Sequence, residues 1–436
     1  MTNEELGPVL TALLALLATA HALGYLFSRL KQPRVIGEVL AGVLIGPSLL
    51  GRFPHFTSLV PVADPHTSTV LGFVYWMGLL LLMFSSGAET KHLFGREDRR
   101  QVGWLVFVGT GLPFVAALLA GSLLSLQSLI GPAQNKMALV LVLGIAAAVT
   151  SIPVISRIFH DLKILHTRFA RLVLGVAVVE DIALWAVLAI ATALAKAGNL
   201  PGREIATHVA ARLIYFVAGM FLMPALLKRV HTARWNVLVK ASPTGYVVAV
   251  LFAYCALAAV FQISVIFAAF LAGFAIASER ELFNDSLLAL HKFSFSVFVP
   301  IYFAIVGLKL DLGRNFSWAM LVVFLAAACS VKLLSVGAGA HLAGFRGRDI
   351  VNLAVATNAR GGPGIILASV AYDAGIINAA CYTTLVLLAI LSSQAAGAWL
   401  EYVLHQGWPL LRGDAGACGR PRVSIARPLA VPMTTE

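Results

Sequence analysis

Apolar runs of roughly twenty residues, separated by short polar stretches, repeat from the start of the chain to about position 405. A bilayer core about 30 Å thick is crossed by ~20 mainly apolar helical residues, and by fewer where a helix is broken or packed inside the protein. The pattern therefore predicts thirteen transmembrane helices, over 7–28, 35–51, 69–90, 102–126, 137–159, 167–195, 205–227, 244–262, 264–278, 290–310, 317–343, 350–372 and 378–404. The fold class is an all-α polytopic membrane protein with one transmembrane domain over residues 1–405. Residues 406–436, rich in Arg, Pro and Gly, read as a disordered cytoplasmic tail and leave no room for a folded soluble domain.

Composition sharpens this picture. Of 436 residues, 59% are hydrophobic and 12% charged, and the mean hydropathy of +0.88 lies far outside the soluble globular range. Ala18-Thr19-Ala20 has the look of a signal-peptidase site, but Asn3-Glu4-Glu5 stands where a signal peptide carries positive charge. The first segment is read as an uncleaved helix with its N-terminus outside. Alternating the segments from there places only Arg52, Lys136, Lys196, Arg203, Lys309 and Arg314 on the outer side, with Arg212, Lys332 and Arg360 inside segments. All other Lys and Arg fall on the inner side, as the positive-inside rule requires, with the C-terminus cytoplasmic. The net charge of +12 is thus assigned to topology in a cell inner (plasma) membrane, and nucleic acid is not an expected partner. The four cysteines lack ligand-like spacing and read as small core residues or, for Cys418, as part of the tail.

Chemistry is concentrated where polarity costs most. Glu180-Asp181 and the lone Lys332 lie near the middle of long apolar segments, where an ionisable group is by default a functional hypothesis. Two segments also contain helix-breaking sequence: Thr150-Ser151-Ile152-Pro153 in the fifth, and Asn358-Ala359-Arg360-Gly361-Gly362-Pro363-Gly364 in the twelfth. Non-helical backbone at this depth is tolerated only inside protein or beside a wet cavity, and a pair of such breaks points to a transporter's binding site. The offset of seven helices is odd, so the corresponding units cross in opposite directions, as an inverted repeat. Arg360 is placed to compensate the carbonyl ends of a broken helix. Asp181 is placed to hold a hard monovalent cation with the Thr150 hydroxyl and nearby backbone oxygens, Ser151 assisting. Adjacent helical residues point about 100° apart, so Glu180 can pair with Lys332 while Asp181 faces the ion. Burial and pairing pull the protonation of such groups in opposite directions, which suits exchange of a proton for a cation near neutral pH.

Other polar positions carry less. Glu38 is either a helix-terminus or interface group or a participant in ion access. His21, His166, His208 and His341 are isolated and read as structural, and Gly337-Ala338-Gly339-Ala340 as a close-packing stretch. No metal or nucleophile constellation suggests an enzyme, and no cofactor is expected; the ligands are the transported Na⁺ or K⁺ and H⁺.

The stretch Pro33-Arg34-Val35-Ile36-Gly37-Glu38-Val39-Leu40-Ala41-Gly42-Val43-Leu44-Ile45-Gly46-Pro47-Ser48-Leu49-Leu50-Gly51 resembles the signature of the second monovalent cation/proton antiporter family. So do Gly78 to Phe84 leading to Gly87-Ala88-Glu89, and Arg360-Gly361-Gly362. The resemblance implies thirteen helices, a homodimer with a dimerisation scaffold, and a six-helix core that contains crossed broken helices 5 and 12 and moves as an elevator. It further implies that Asp181 binds cation and proton alternately. Lys332 matches the lysine that pairs with the residue before that aspartate in electrogenic members. Glu180 is neither the Asp nor the amide found there in other members, so stoichiometry and ion choice stay open. Gly361-Gly362-Pro363-Gly364 is richer in Gly and Pro than the family's usual sequence after Arg-Gly. The cytoplasmic nucleotide-binding domain that potassium efflux members often carry is absent from this chain. Two readings follow: a Na⁺ or K⁺/proton antiporter, or a proton-coupled exporter of a small organic solute on the same scaffold.

Overall fold

Each apolar run becomes helix wherever it is described. The computed structural model describes residues 2–412 apart from 31, 63, 91–97, 125, 166, 198–214, 216–217, 232, 234–235 and 262. The first helices are α1 (Asn3–Arg29), α2 (Arg34–Ile45), the short α3 (Pro54–Leu59) and α4 (Pro65–Thr90). Then come α5 (Arg99–Gly109), α6 (Gly111–Leu123), α7 (Lys136–Ala148), α8 (Ile152–Asp161) and α9 (Arg168–Ala197). A π-helical turn, Ala218–Leu222, leads into α10 (Met223–His231), followed by α11 (Val237–Ala241), α12 (Pro243–Val260) and α13 (Val265–Ile276). The last are α14 (Arg280–Ser296), α15 (Phe298–Leu308), α16 (Trp318–Leu342), α17 (Arg348–Ala356), α18 (Gly361–Asp373) and α19 (Ala379–His405). Asn and Ser side chains start several of them: Asn135, Ser242, Ser317 and Asn378 each accept the backbone N–H three residues on. Among the described residues there is no strand, only an isolated bridge between Ile130 and Ile377.

Nine helical stretches among the described residues are long and apolar enough to cross a membrane, and one, Val265–Leu308, has 44 residues. At 1.5 Å per residue that run is long enough for two crossings, with a turn at Ala277–Glu279. The interrupted pairs α7/α8 and α17/α18 fall short of that length because each is broken. Most of the predicted seventh segment, with Arg203, His208 and Arg212, lies outside the described residues, as do Lys91, Arg96 and His166. The predicted tail begins with a docked stretch: Leu410 O accepts Asn352 Nδ2 at 3.0 Å, and the Arg348 guanidinium lies 3.9 Å from the Trp408 ring centroid. Its remainder, 413–436, lies outside the described residues.

One connection drawn from the sequence is instead helix. Residues 280–289 form the first part of α14, a polar-faced helix that runs to a kink at Val297, three residues before Pro300. Pro300 has no N–H for the carbonyl of Ser296, and His21 on α1 hydrogen-bonds that oxygen at 2.8 Å.

Close packing divides the helices into two groups. α1, α2, α4 and α12–α15 pack among themselves, as do α5–α9 and α16–α19, while among the described residues the helices of the two groups touch only sparsely, chiefly α9 against α13. Glycines bring the first group together. A Cβ at Gly42 would lie 1.7 Å from Ala304 O and one at Gly307 2.0 Å from Val39 O, so α2 and α15 cross backbone to backbone. Gly87 and Gly273 do the same for α4 and α13, facing Phe270 O and Phe84 O. Close approach of this kind is what small residues supply in membrane helices. In the 337–340 stretch it is Gly339 that meets a neighbour's backbone, at Trp104 O.

Candidate functional site

Both predicted breaks are present, and each proline starts the helix beyond its break. α7 stops at Ala148, Val149 is extended, and α8 resumes with Pro153 as its second residue. α17 stops at Ala356 and α18 begins at Gly361, with Pro363 third. Proline is tolerated in a first turn because the donor it lacks has no intrahelical partner there. The two interruptions cross and bond: Ser151 N–H donates to Ala359 O at 2.7 Å, and the Thr150 hydroxyl to Thr357 O at 2.5 Å. Gly361 has φ +36°, and a Cβ there would lie 2.3 Å from Val154 Cγ2, so this position admits only glycine without rearrangement. Ser151 Oγ accepts Val154 N–H at 3.3 Å and caps α8, while Ser393 Oγ on α19 accepts Gly361 N–H at 2.8 Å.

Arg360 and Lys332 divide the exposed end of α7 between them. The buried Arg360 guanidinium donates to Ala146 O at 2.8 Å and Ala147 O at 3.1 Å, to Ala328 O on α16 at 2.9 Å, and to Asn358 Oδ1 at 2.6 Å. Lys332, also fully buried, donates to Ala148 O and to Glu180 Oε1, the latter at 2.6 Å. Three successive C-terminal carbonyls, the negative end of the helix dipole, are thereby met by positive charge. Glu180 Oε1 also accepts the Thr110 hydroxyl, from the kink between α5 and α6.

Asp181 differs from its neighbour. It is fully buried, and neither of its oxygens has a hydrogen-bond partner among the described residues. Thr150, expected beside it as a ligand, spends its proton on Thr357 O, so toward Asp181 only its lone pairs are available. A buried carboxylate left in this state is costly unless a proton or a cation completes it. The structure thus joins Glu180 with Lys332, Arg360 with Asn358, and Thr150 and Ser151 with the second break, while Asp181 shares no hydrogen bond with any of them.

A cavity of about 600 Å³ lies between the two helix groups. Exposed Tyr25 and Arg34 mark its mouth, and Glu38, Trp185, Val154, Gly362 and Pro363 are among its walls. Trp185 follows Asp181 by one helical turn, and Val154 lies in the first turn of α8, directly after the first break. The cavity therefore leads from one end of the molecule to the crossed breaks.

Sequence reasoning missed Thr110 and the pair Ser392 and Ser393, whose hydroxyls accept the N–H groups of Arg360 and Gly361. The available signals were Pro113, three residues after Thr110, and two adjacent serines inside an apolar run. Among the described residues no group of three His, Cys, Asp or Glu is arranged to hold a metal ion.

An all-helical membrane protein with crossed broken helices and buried opposite charges at the crossing is an ion-transporter architecture. The sequence model of the family described as "Sodium/hydrogen exchanger, transmembrane" matches residues 12–406, and the chain belongs to that family. It is 29% identical over 407 residues to the Na(+)/H(+) antiporter NhaS4 of Synechocystis, covering 90% of this chain and 96% of that protein. The Na(+)/H(+)-K(+) antiporter GerN of Bacillus cereus is 26% identical, over 89% of this chain and 94% of its own length. Cation/H(+) antiporter 18 of Arabidopsis thaliana is 29% identical over 86% of this chain but 46% of its own, so the chain spans about half the length of that relative. In three dimensions the chain resembles the sodium proton antiporter MjNhaP1 of Methanocaldococcus jannaschii, with a TM-score of 0.67 at 15% identity, covering 92% of this chain and 99% of the other. That likeness shows the fold.

Proposed function

We propose that this protein is a secondary active antiporter that exchanges a monovalent cation, Na⁺ or K⁺, for protons across a plasma membrane. The observation that carries the reading is the Asp181 carboxylate, buried and without a partner beside two crossed helix breaks. Such a group is complete only when it holds a proton or a cation, which makes the two alternatives competitors for one site. Asp181 is the carrier in this reading, and the Thr150 and Ser151 oxygens and the free Glu180 Oε2 complete its cation shell. Lys332 and Arg360 balance charge without carrying cargo. The division into two helix groups supports an elevator movement, in which α5–α9 and α16–α19 slide against a scaffold of the others. Thirteen crossings related as inverted repeats, a homodimer, an outside N-terminus and a cytoplasmic C-terminus complete the proposal. If Asp181 alone exchanges, one proton for one cation is electroneutral; each further net charge would respond to voltage at ~2.3 kcal/mol per 100 mV.

The test is proteoliposomes holding the purified protein, with internal pH followed on addition of Na⁺, K⁺ or Li⁺. Wild type dissipates the pH gradient with Na⁺ or K⁺, and Asp181→Asn does not. Exchange by Asp181→Asn at the wild-type rate would overturn the carrier assignment.

A further inference from the structure

Glu38 has no assigned task in the exchange just described, yet the structure places it on the route to the crossed breaks. It is the fifth residue of α2 and lines the cavity between the two helix groups, only 8% exposed. Its stem lies toward α1, where a Cβ on Gly24 would be 3.6 Å from Glu38 Cγ. No described residue hydrogen-bonds or ion-pairs with its carboxylate. A helix-terminus role is excluded by position, because favourable interaction with the dipole falls off within the first turn and Glu38 lies beyond it. An interface role would need a partner on a packed neighbour, and none is present among the described residues.

The surroundings point to a ligand instead. Among the described residues lining the cavity, Glu38 is the sole carboxylate. Of the other titratable groups around it, His21 bonds Ser296 O and His291 lies 3.9 Å from Glu89, while the charge of Arg34, at the mouth one turn before Glu38, acts on the carboxylate without forming an ion pair with it. Past Glu38 the walls are Trp185, Val154, Gly362 and Pro363, which bound the breaks themselves. A desolvated carboxylate in the wall of a cavity concentrates cations there.

We propose that Glu38 is a second cation site, occupied by the transported monovalent ion between the mouth of the cavity and Asp181. It sets apparent affinity from the face on which the cavity opens and plays no part in binding from the other face. This rests on the exchange reading, and the two are separable by experiment.

The test uses the full chain in proteoliposomes of fixed orientation, with Na⁺ and K⁺ as probes applied to each face in turn. Glu38→Gln is expected to raise the apparent KM about tenfold from the cavity face, equivalent to ~1.4 kcal/mol, with less change in maximal rate. The opposite-face KM serves as the internal control for folding and should move much less. Glu38→Asp, which keeps the charge on a shorter stem, should shift the same KM in the same direction by a smaller factor, and it decides the matter if Glu38→Gln is not recovered folded. An unchanged cavity-face KM overturns the proposal, and so does an equal rise from both faces, which marks a structural role. A flat Glu38→Gln response alongside an inactive Asp181→Asn removes the second site alone. Full activity of Asp181→Asn alongside a one-sided Glu38→Gln shift removes the carrier assignment alone.

Discussion

The breaks in α7 and in α17 are similar in backbone and unequal in electrostatics. At the end of α7, Ala146, Ala147 and Ala148 present their carbonyls to two cations, Arg360 and Lys332. At the break after α17, the carbonyls of Thr357 and Ala359 receive a hydroxyl and a backbone amide, both neutral, and Asn358 O alone meets a cation, Arg360 at 3.2 Å. Most of the positive charge of the site is therefore committed to the end of α7 and to Glu180, with one arm of Arg360 turned to Asn358. Asp181 is left without a hydrogen-bonded countercharge, and the proposed exchange assigns that place to a mobile cation or proton. Two breaks with equal caps would leave no such vacancy of charge.

Removing the cation cap of α7 should have the largest effect. Arg360→Ala strips donors from Ala146, Ala147 and Ala328 and empties a buried volume, so the folded protein should lose about 3–5 kcal/mol, read as a lowered thermal midpoint in detergent. A midpoint equal to wild type would show that those carbonyls find other donors. Lys332→Ala should cost about 3 kcal/mol by leaving Glu180 buried and unpaired, and should shift the pH profile of exchange. The double variant Lys332→Ala/Glu180→Gln should regain part of that loss; strictly additive losses would mean that the two residues do not act as a pair. The neutral break should respond least. Thr150→Val, nearly isosteric, should cost about 1 kcal/mol for the lost bond to Thr357 O and weaken cation binding, measurable as a raised KM in the liposome assay. A Thr150→Val effect as large as that of Arg360→Ala would dissolve the contrast between the two breaks.

Much of this site could be read from the residues alone, because a charge or a proline inside an apolar run is conspicuous. Glu180, Asp181, Lys332 and Arg360 stood out for their cost in that setting, and the Glu180–Lys332 pair is formed as expected. Less legible were groups whose importance depends on who faces them. Threonine is common in membrane helices, and nothing in the order of residues says that Thr110 reaches a carboxylate 70 positions away. His21 looked isolated for the same reason: its partner, Ser296 O, is freed by a proline on another helix. The polarity of residues 280–289 resembles that of a connecting loop, whereas in α14 these polar side chains occupy one face of a helix.

By itself the sequence determined that the chain is a bundle of membrane helices, that two of those helices are interrupted, and that four ionisable groups lie at the same depth. Local physics suffices for these, since hydropathy, the missing N–H of proline and the cost of a buried charge are properties of short segments. Tertiary structure decided the pairings. Only the crossing of α7/α8 with α17/α18 gives Arg360 to the Ala146 and Ala147 carbonyls and Thr150 to Thr357, and only the separation of two helix groups opens a cavity past Glu38. Hydrogen bonds and cavities depend on distance in space, and a membrane helix records in its sequence which face is polar but not which neighbour that face will meet.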